Sequence, residues 1–356
     1  QSVLQQCPAL HSTYFPPLCF FGGFSQLVPF LLESWWRAEC APPCVWREEL
    51  AELEDGELIS LDWANEVPGP SDTDAAPFLI IHHGASGSTT DFPNQTYVEE
   101  AVRRGWLVCV FNRRGHKRVL SRPRFSFFGS TADTRRVTQR YFRERRPAAP
   151  VFMLGISAGS GLLARYMGEQ GLDTRPKNEI EGFCTAAVGV SPGYDIEVCF
   201  SRIKPPFASI LMNGGKAFFL EKNEATQIQL RSGKPGDGLS VLLSCFSCLL
   251  RYRIDHTWSM TGHTSTADFY EKTNPMRVID KIREPFLCLN AEDDPLCVGE
   301  NISENLHIFD DREHNAAIAV TKTGSHCAFY ELSPFNASIF PSSWSEKVLF
   351  QFFESV

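Results

Sequence analysis

No stretch of this chain is apolar for long enough to cross a bilayer as a helix. The longest candidate, Leu18 to Leu32, is interrupted by Gly22, Gly23 and Pro29. Positive charge is short as well. The 34 Lys and Arg against 42 Asp and Glu leave a net charge of −8, which argues against nucleic acid as a partner. Cysteine is too sparse, at 12 in 356 residues, for a disulfide scaffold, although high for a cytosolic enzyme. Cys245 and Cys248 have the spacing of half a zinc site, but no second pair or histidine follows at the required distance, so no metal is expected. Cys40 and Cys44 flank a Pro-Pro turn and read as free thiols rather than a local disulfide. Cys109, Cys184 and Cys288 lie in apolar runs and read as small buried hydrophobes. Internal repeats are missing too. The chain starts at Gln1 rather than Met, so a removed signal, transit or anchor segment upstream is compatible with it; an intracellular location is the expectation.

What remains is ordinary globular composition, 43% hydrophobic and 21% charged, with a large core to bury. Residues 1–45 are rich in Pro, Phe, Trp and Cys with little periodicity, and read as an extended arm packed on a body of residues 46–356. Strands are expected at 57–63, 78–83, 106–111, 151–154, 183–190, 285–290 and 317–321. Helices are expected at 97–104, 133–145 and 344–353. Short apolar runs alternating with helical segments imply an α/β fold, a mainly parallel sheet covered on both faces. Residues 195–275 break this rhythm and read as a lid over the carboxyl edge of the sheet.

The richest local signal is Gly155-Ile156-Ser157-Ala158-Gly159, with an apolar run before it and a helix-forming run after it. A strand, a sharp turn and a helix with serine at the apex would lift the hydroxyl clear of the sheet. Serine is a poor nucleophile at neutral pH and needs a base, which in turn needs an acid to orient it. In this architecture the order is serine, acid, histidine. The strand at 285–290 runs into Glu292-Asp293-Asp294-Pro295, and the strand at 317–321 runs into Gly324-Ser325-His326. His326 is the expected base. Asp294, directly before the proline, is the expected acid, with Asp293 and then Glu292 as alternatives. The oxyanion would be held by the backbone N–H groups of Ala158 and of Ala85, with Gly84 as the alternative to Ala85. His82 and His83 are expected to orient that loop by hydrogen bonding rather than to act as bases.

Together these motifs resemble the YheT-like or abhydrolase-domain branch of the α/β-hydrolases. Asp55-Gly56-Glu57 to Trp63 is similar to its entry strand, and His83 to Ser88 to its oxyanion loop. Phe111-Asn112-Arg113-Arg114-Gly115 resembles its Asn-x-Arg-Gly turn. Asn290 to Pro295 and Gly324 to Phe329 resemble its acid and histidine turns, and Tyr14 to Leu27 its proline-aromatic arm. The resemblance implies an α/β-hydrolase fold and a serine hydrolase of carboxylic esters that needs no cofactor. Family members are linked to acylglycerols, phospholipids and medium-chain acyl esters, and some transfer acyl groups to alcohols. The chain departs from the pattern after Ser157, where it reads Ala-Gly-Ser-Gly, and between 195 and 270 outside Thr266 to Tyr270.

Two surface features bear on the substrate. Arg103 to Arg146 holds 14 of the 34 basic residues and only two acidic ones, Asp133 and Glu144. It reads as a solvated helix face, or as a patch for anionic headgroups of a membrane surface. Among 28 phenylalanines, Phe200, Phe207, Phe218, Phe219 and Phe246 fall in the lid region, as core or as an acyl-chain groove. The expected activity is hydrolysis of lipid-like or medium- to long-chain acyl esters by a Ser157–His326–Asp294 triad. Acyl transfer to an alcohol through the same triad, and a catalytically inactive interaction protein, are the alternatives.

Overall fold

The computed structural model describes residues 3–17, 22–40, 44–85, 87–89, 92–122, 124, 128–216, 222, 263–310, 315–331 and 342–356. Eight strands form one sheet: β1 (Trp46–Glu52), β2 (Leu58–Ala64), β3 (Phe78–His82), β4 (Leu107–Asn112), β5 (Val151–Ile156), β6 (Ala186–Val190), β7 (Phe286–Ala291) and β8 (Ala316–Thr321). Their order across the sheet is β1-β2-β4-β3-β5-β6-β7-β8. β1 and β2 are antiparallel to their neighbours, and every pairing from β4 to β8 is parallel. This is the mainly parallel α/β sheet expected from the sequence.

The central strands β3, β5, β6 and β7 are buried along their whole length. Helices cover both faces, so these strands need apolar side chains at every position rather than at alternate ones. Phe78 and Ile80 join Trp63, Phe142 and Met153 in the core on one face. Leu79 and Ile81 join Phe152, Leu154, Phe350 and Phe353 on the other. The helix Trp344–Ser355 supplies Val348, Leu349, Phe350 and Phe353 to that second core, and Ser343 caps it by accepting from Glu346 N–H at 3.4 Å.

Several elements differ from expectation. Residues 1–45 are largely helical, not extended: a turn at Val3–Gln6, a short helix Pro8–His11 and a 17-residue helix Gly23–Glu39 precede β1. The long helix buries Gly23, Gln26, Pro29 and Glu33, a helical spacing carried by polar and helix-breaking residues. β1 went unpredicted because it is an edge strand with mostly solvated side chains. The expected helix at 97–104 begins at Phe92, and that at 133–145 is an α-helix Thr131–Thr138 continued by a π turn at Gln139–Arg143.

Between β6 and β7 the described α-helices are Ile196–Arg202, Phe207–Lys216 and Thr266–Thr273. Phe218, Phe219, Phe246, Cys245, Cys248 and the side chain of Phe200 lie outside the described residues. Cys40 and Cys44 are both free thiols. The basic stretch folds onto carboxylates from other elements. Arg114 forks onto Asp133 and reaches Asp55; Arg145 pairs with Glu49, Arg146 with Asp74, Arg135 with Glu169 and Lys117 with Asp62. Among the described residues no helix is long and apolar enough to cross a membrane.

Candidate active site

Ser157 sits between the end of β5 and the helix Ala158–Leu172, at φ 54° and ψ −116°. A positive φ at a residue other than glycine is strained and persists only where its surroundings enforce it. Here Ser157 N–H donates to Val190 O at the end of β6, at 2.9 Å. Sterics explain the flanking glycines. A Cβ on Gly155 would lie 2.5 Å from Gly159 O, and one on Gly159 would lie 2.1 Å from His82 O. Both contacts are with backbone, which cannot swing aside. Ser160 also reaches under the turn and donates its hydroxyl to Ser157 O.

The structure brings Ser157, His326 and Asp294 together. His326 Nδ1 lies 2.8 and 3.1 Å from the two Asp294 carboxylate oxygens, and His326 Nε2 lies 2.8 Å from Ser157 Oγ. A carboxylate only accepts, so Nδ1 carries the proton and Nε2 is free to accept from the Ser157 hydroxyl. Asp294 is buried and also accepts from the N–H groups of Leu296 and Cys297, at 2.8 and 2.9 Å. Burial pulls the imidazole pKa down, but the negative charge and hydrogen bond of Asp294, with a contribution from Cys327, outweigh it and hold His326 well above the ordinary histidine value.

The other two carboxylates of the acid turn go elsewhere. Asp293 accepts from Ser325 N–H at 2.9 Å and so shapes the histidine turn instead of touching the imidazole; burial raises its pKa. Glu292 is exposed. The histidine turn is itself strained, with positive φ at Ser325, Cys327 and Phe329. Its supports come from far away in sequence. Ser191 accepts from Cys327 N–H at 3.1 Å. In the N-terminal segment, Tyr14 donates to Tyr330 O at 2.7 Å, Gln26 accepts from Tyr330 N–H at 3.1 Å, and Glu33 accepts from the Tyr330 hydroxyl at 2.8 Å.

Facing Ser157 is the loop after β3. Gly84 passes so close that a Cβ there would sit 3.7 Å from Ser157 Cβ. Arg113 donates to His83 O and to Gly84 O, both at 2.6 Å, and His116 Nε2 lies 2.9 Å from Ala85 O. In a trans peptide the C=O and the next N–H point in opposite directions. Holding the Gly84 carbonyl toward Arg113 therefore turns the Ala85 N–H away from Arg113. Ala158 N–H, at the first position of its helix, has no partner within that helix. Ala85 and Ala158 line one cavity of about 50 Å³ with Ser157 and His326, and its other walls are mostly apolar: Phe128, Ile196, Ile203, Leu211 and Leu296.

Arg113 and His116 escaped the sequence reading as functional side chains. The available signal was a pair of arginines directly after a buried strand, where a charge must find buried partners. His83 does hydrogen-bond its loop, with Nδ1 2.9 Å from Gly84 O and Nε2 accepting from Arg113 N–H at 3.4 Å. His82 does not: both ring nitrogens are buried without a partner among the described residues, its ring packs 4.9 Å from that of Phe111, and burial with Arg113 nearby lowers its pKa to about 3.

A family model described as alpha/beta hydrolase fold matches residues 77–329. The chain belongs to that family. It is similar to the human protein named Phospholipase ABHD3, 26% identical over 357 residues, covering 98% of this chain and 80% of the relative. Monoacylglycerol lipase ABHD2 of human is 22% identical over 367 residues, covering 99% and 82%. YheT of Escherichia coli (strain K12) is 26% identical over 253 residues, 68% of each chain. This α/β-hydrolase thus places its serine, imidazole and buried carboxylate at the carboxyl ends of β5, β8 and β7.

Proposed function

We propose that this α/β-hydrolase cleaves carboxylic esters of lipid-like or medium- to long-chain acyl type through an acyl-serine intermediate. The observation that carries the reading is the unbroken hydrogen-bonded series Ser157 Oγ–His326–Asp294, with 2.8 Å at each step. Ser157 Oγ attacks the ester carbonyl while its proton passes to His326 Nε2. Asp294 holds the imidazole in the correct tautomer and stabilises its charged form. The N–H groups of Ala85 and Ala158 take the oxyanion; removing one such donor typically costs about 10²–10³ in rate. The alcohol leaves with the proton from His326. Water then attacks the acyl-enzyme, giving its proton to His326 and releasing the acid, and the proton returns to Ser157.

The apolar walls of the cavity support an acyl chain as its occupant, and the names of the relatives, a phospholipase and a monoacylglycerol lipase, point to lipid esters. Contact with an anionic lipid surface would fall to exposed cations of the basic stretch such as Arg118, Arg122, Arg124 and Arg140. The test is labelling by an active-site fluorophosphonate together with turnover of an ester panel graded in chain length. Wild type should be labelled at Ser157 and Ser157→Ala should be inert in both assays. An unlabelled wild-type protein, or a Ser157→Ala variant that still turns over, overturns the proposal.

A further inference from the structure

Two thiols stand beside the triad and take no part in the proposed mechanism. Cys297 lies three residues after Asp294, is buried, and donates weakly to Ser191 O at 3.2 Å. Its sulfur, a carboxylate oxygen of Asp294 and an imidazole nitrogen of His326 all lie within 4.8 Å of one another. Cys199, from the first helix after β6, brings a fourth donor. Its thiol lies 3.6 Å from Leu296 O, next to Cys297 in the chain, and a Cβ placed on Gly193 would lie 3.0 Å from Cys199 Sγ and 3.6 Å from Cys297 Sγ. The two sulfurs thus converge on space that Gly193 leaves open. Both line the small cavity that also holds Ser157 and His326, which gives an ion a route to them.

Two sulfurs, one imidazole nitrogen and one carboxylate form a donor set that suits a borderline-soft ion in tetrahedral coordination. With metal–ligand bonds of about 2.0–2.3 Å, donors around a tetrahedral zinc stand roughly 3.3–3.8 Å apart. The Asp294, Cys297 and His326 donors therefore have to close by about 1 Å, and Cys199 Sγ, which stands outside that 4.8 Å group, has to move further to complete the shell. Magnesium and calcium prefer all-oxygen shells and do not match these donors.

We propose that Cys199, Cys297, His326 and Asp294 form an inhibitory site for a thiophilic divalent cation, with Zn²⁺ as the ligand. Each coordinating thiol gives up its proton to solvent as its bond to the metal forms. Metal on His326 Nε2 occupies the lone pair that would accept the Ser157 proton. Metal on Nδ1 forces the imidazole proton onto Nε2, with the same result. Inhibition rests on the catalytic reading above, whereas occupancy of the site does not.

The experiment separates the two. Reduced protein is titrated with Co²⁺ and followed by the thiolate-to-cobalt charge-transfer band, which needs no activity; ester turnover is titrated in parallel with Zn²⁺, with Mg²⁺ as control. One equivalent of Co²⁺ should give the band in wild type and in Ser157→Ala. Zn²⁺ but not Mg²⁺ should inhibit, and EDTA should restore the rate. Cys297→Ala and Cys199→Ala, each normalised to its own metal-free rate, should weaken the apparent metal affinity by at least the ~10–100-fold that loss of an outer partner costs. Circular dichroism checks that they fold; should neither fold, His326→Ala takes their place and is judged by the band alone. A band or an inhibition unchanged in the folded variants, or no band in wild type, overturns the proposal. A band without any ester turnover leaves the metal site standing and counts against the catalytic reading instead.

Discussion

Replacing Asp294 by Asn tests which carboxylate orients the imidazole, and the structure dictates how it should fail. Asp294 Oδ1 is claimed by two backbone donors, Leu296 N–H and Cys297 N–H, at 2.8 and 2.9 Å. An asparagine must keep its carbonyl oxygen there, because the amide NH₂ cannot accept. Its NH₂ then occupies the place of Oδ2, 2.8 Å from His326 Nδ1. Facing a donor, Nδ1 becomes the acceptor and the proton moves to Nε2, where it points at Ser157 instead of receiving from it. A correct geometry with the wrong tautomer lowers kcat by about 10⁴-fold, or about 5.5 kcal/mol in the barrier. Asp293→Asn is the matched control. Its oxygen can still accept from Ser325 N–H, and the neutral amide relieves a buried carboxylate, so the loss should stay within about tenfold. The assay is kcat/KM for a soluble aryl ester across pH. In wild type the rate should fall as pH drops through the raised pKa of His326, so the acid limb lies above that of an ordinary histidine. An Asp294→Asn enzyme within tenfold of wild type, or an Asp293→Asn enzyme that loses more, would refute the assignment.

Three further outcomes follow from the contacts. Gly159→Ala drives a Cβ to 2.1 Å from His82 O and 2.8 Å from His83 O, so it should cost about 1–3 kcal/mol and lower both Tm and kcat; Gly161→Ala, with nothing within 4 Å of its Cβ, should be neutral or up to about 1 kcal/mol stabilising in thermal denaturation. Arg113→Lys cannot span the carbonyls of His83 and Gly84 as a fork does, and should lower kcat by about 10²-fold with a smaller change in KM, as expected of a positioning residue. Glu346 is pushed up to about 8, by burial first and then by Glu100 and Glu99. The folded state therefore binds this proton more tightly than the unfolded one, and stability falls as pH rises from 4.5 through 8; Glu346→Gln should raise Tm above pH 8 and lose that advantage below pH 4.5.

What was legible in the sequence was whatever local sterics or two-sided burial impose. β3, β5, β6 and β7 announced themselves as continuous apolar runs because both of their faces are covered. The turn at Ser157 was visible because Gly155 and Gly159 abut backbone that admits no Cβ. The acid turn was ambiguous for a physical reason: Glu292, Asp293 and Asp294 are alike in chemistry, and their fates are separated by which N–H groups the fold presents to each. Asp293 meets Ser325, from a different strand's loop, and Asp294 meets its own turn and His326. The N-terminal helix was illegible because its buried stripe is Gln26, Pro29 and Glu33 instead of an apolar face. Those side chains are not filling a core. Gln26 and Glu33, with Tyr14, hold Tyr330, four residues beyond His326, while Gly23 packs so close to Asp293 that a Cβ would lie 2.3 Å from its carbonyl oxygen. A segment that looked like an arm laid over the body is thus a brace for the loops that carry Asp294 and His326. Its polarity, which hid it from pattern reading, follows from having backbone to bind rather than oil to bury.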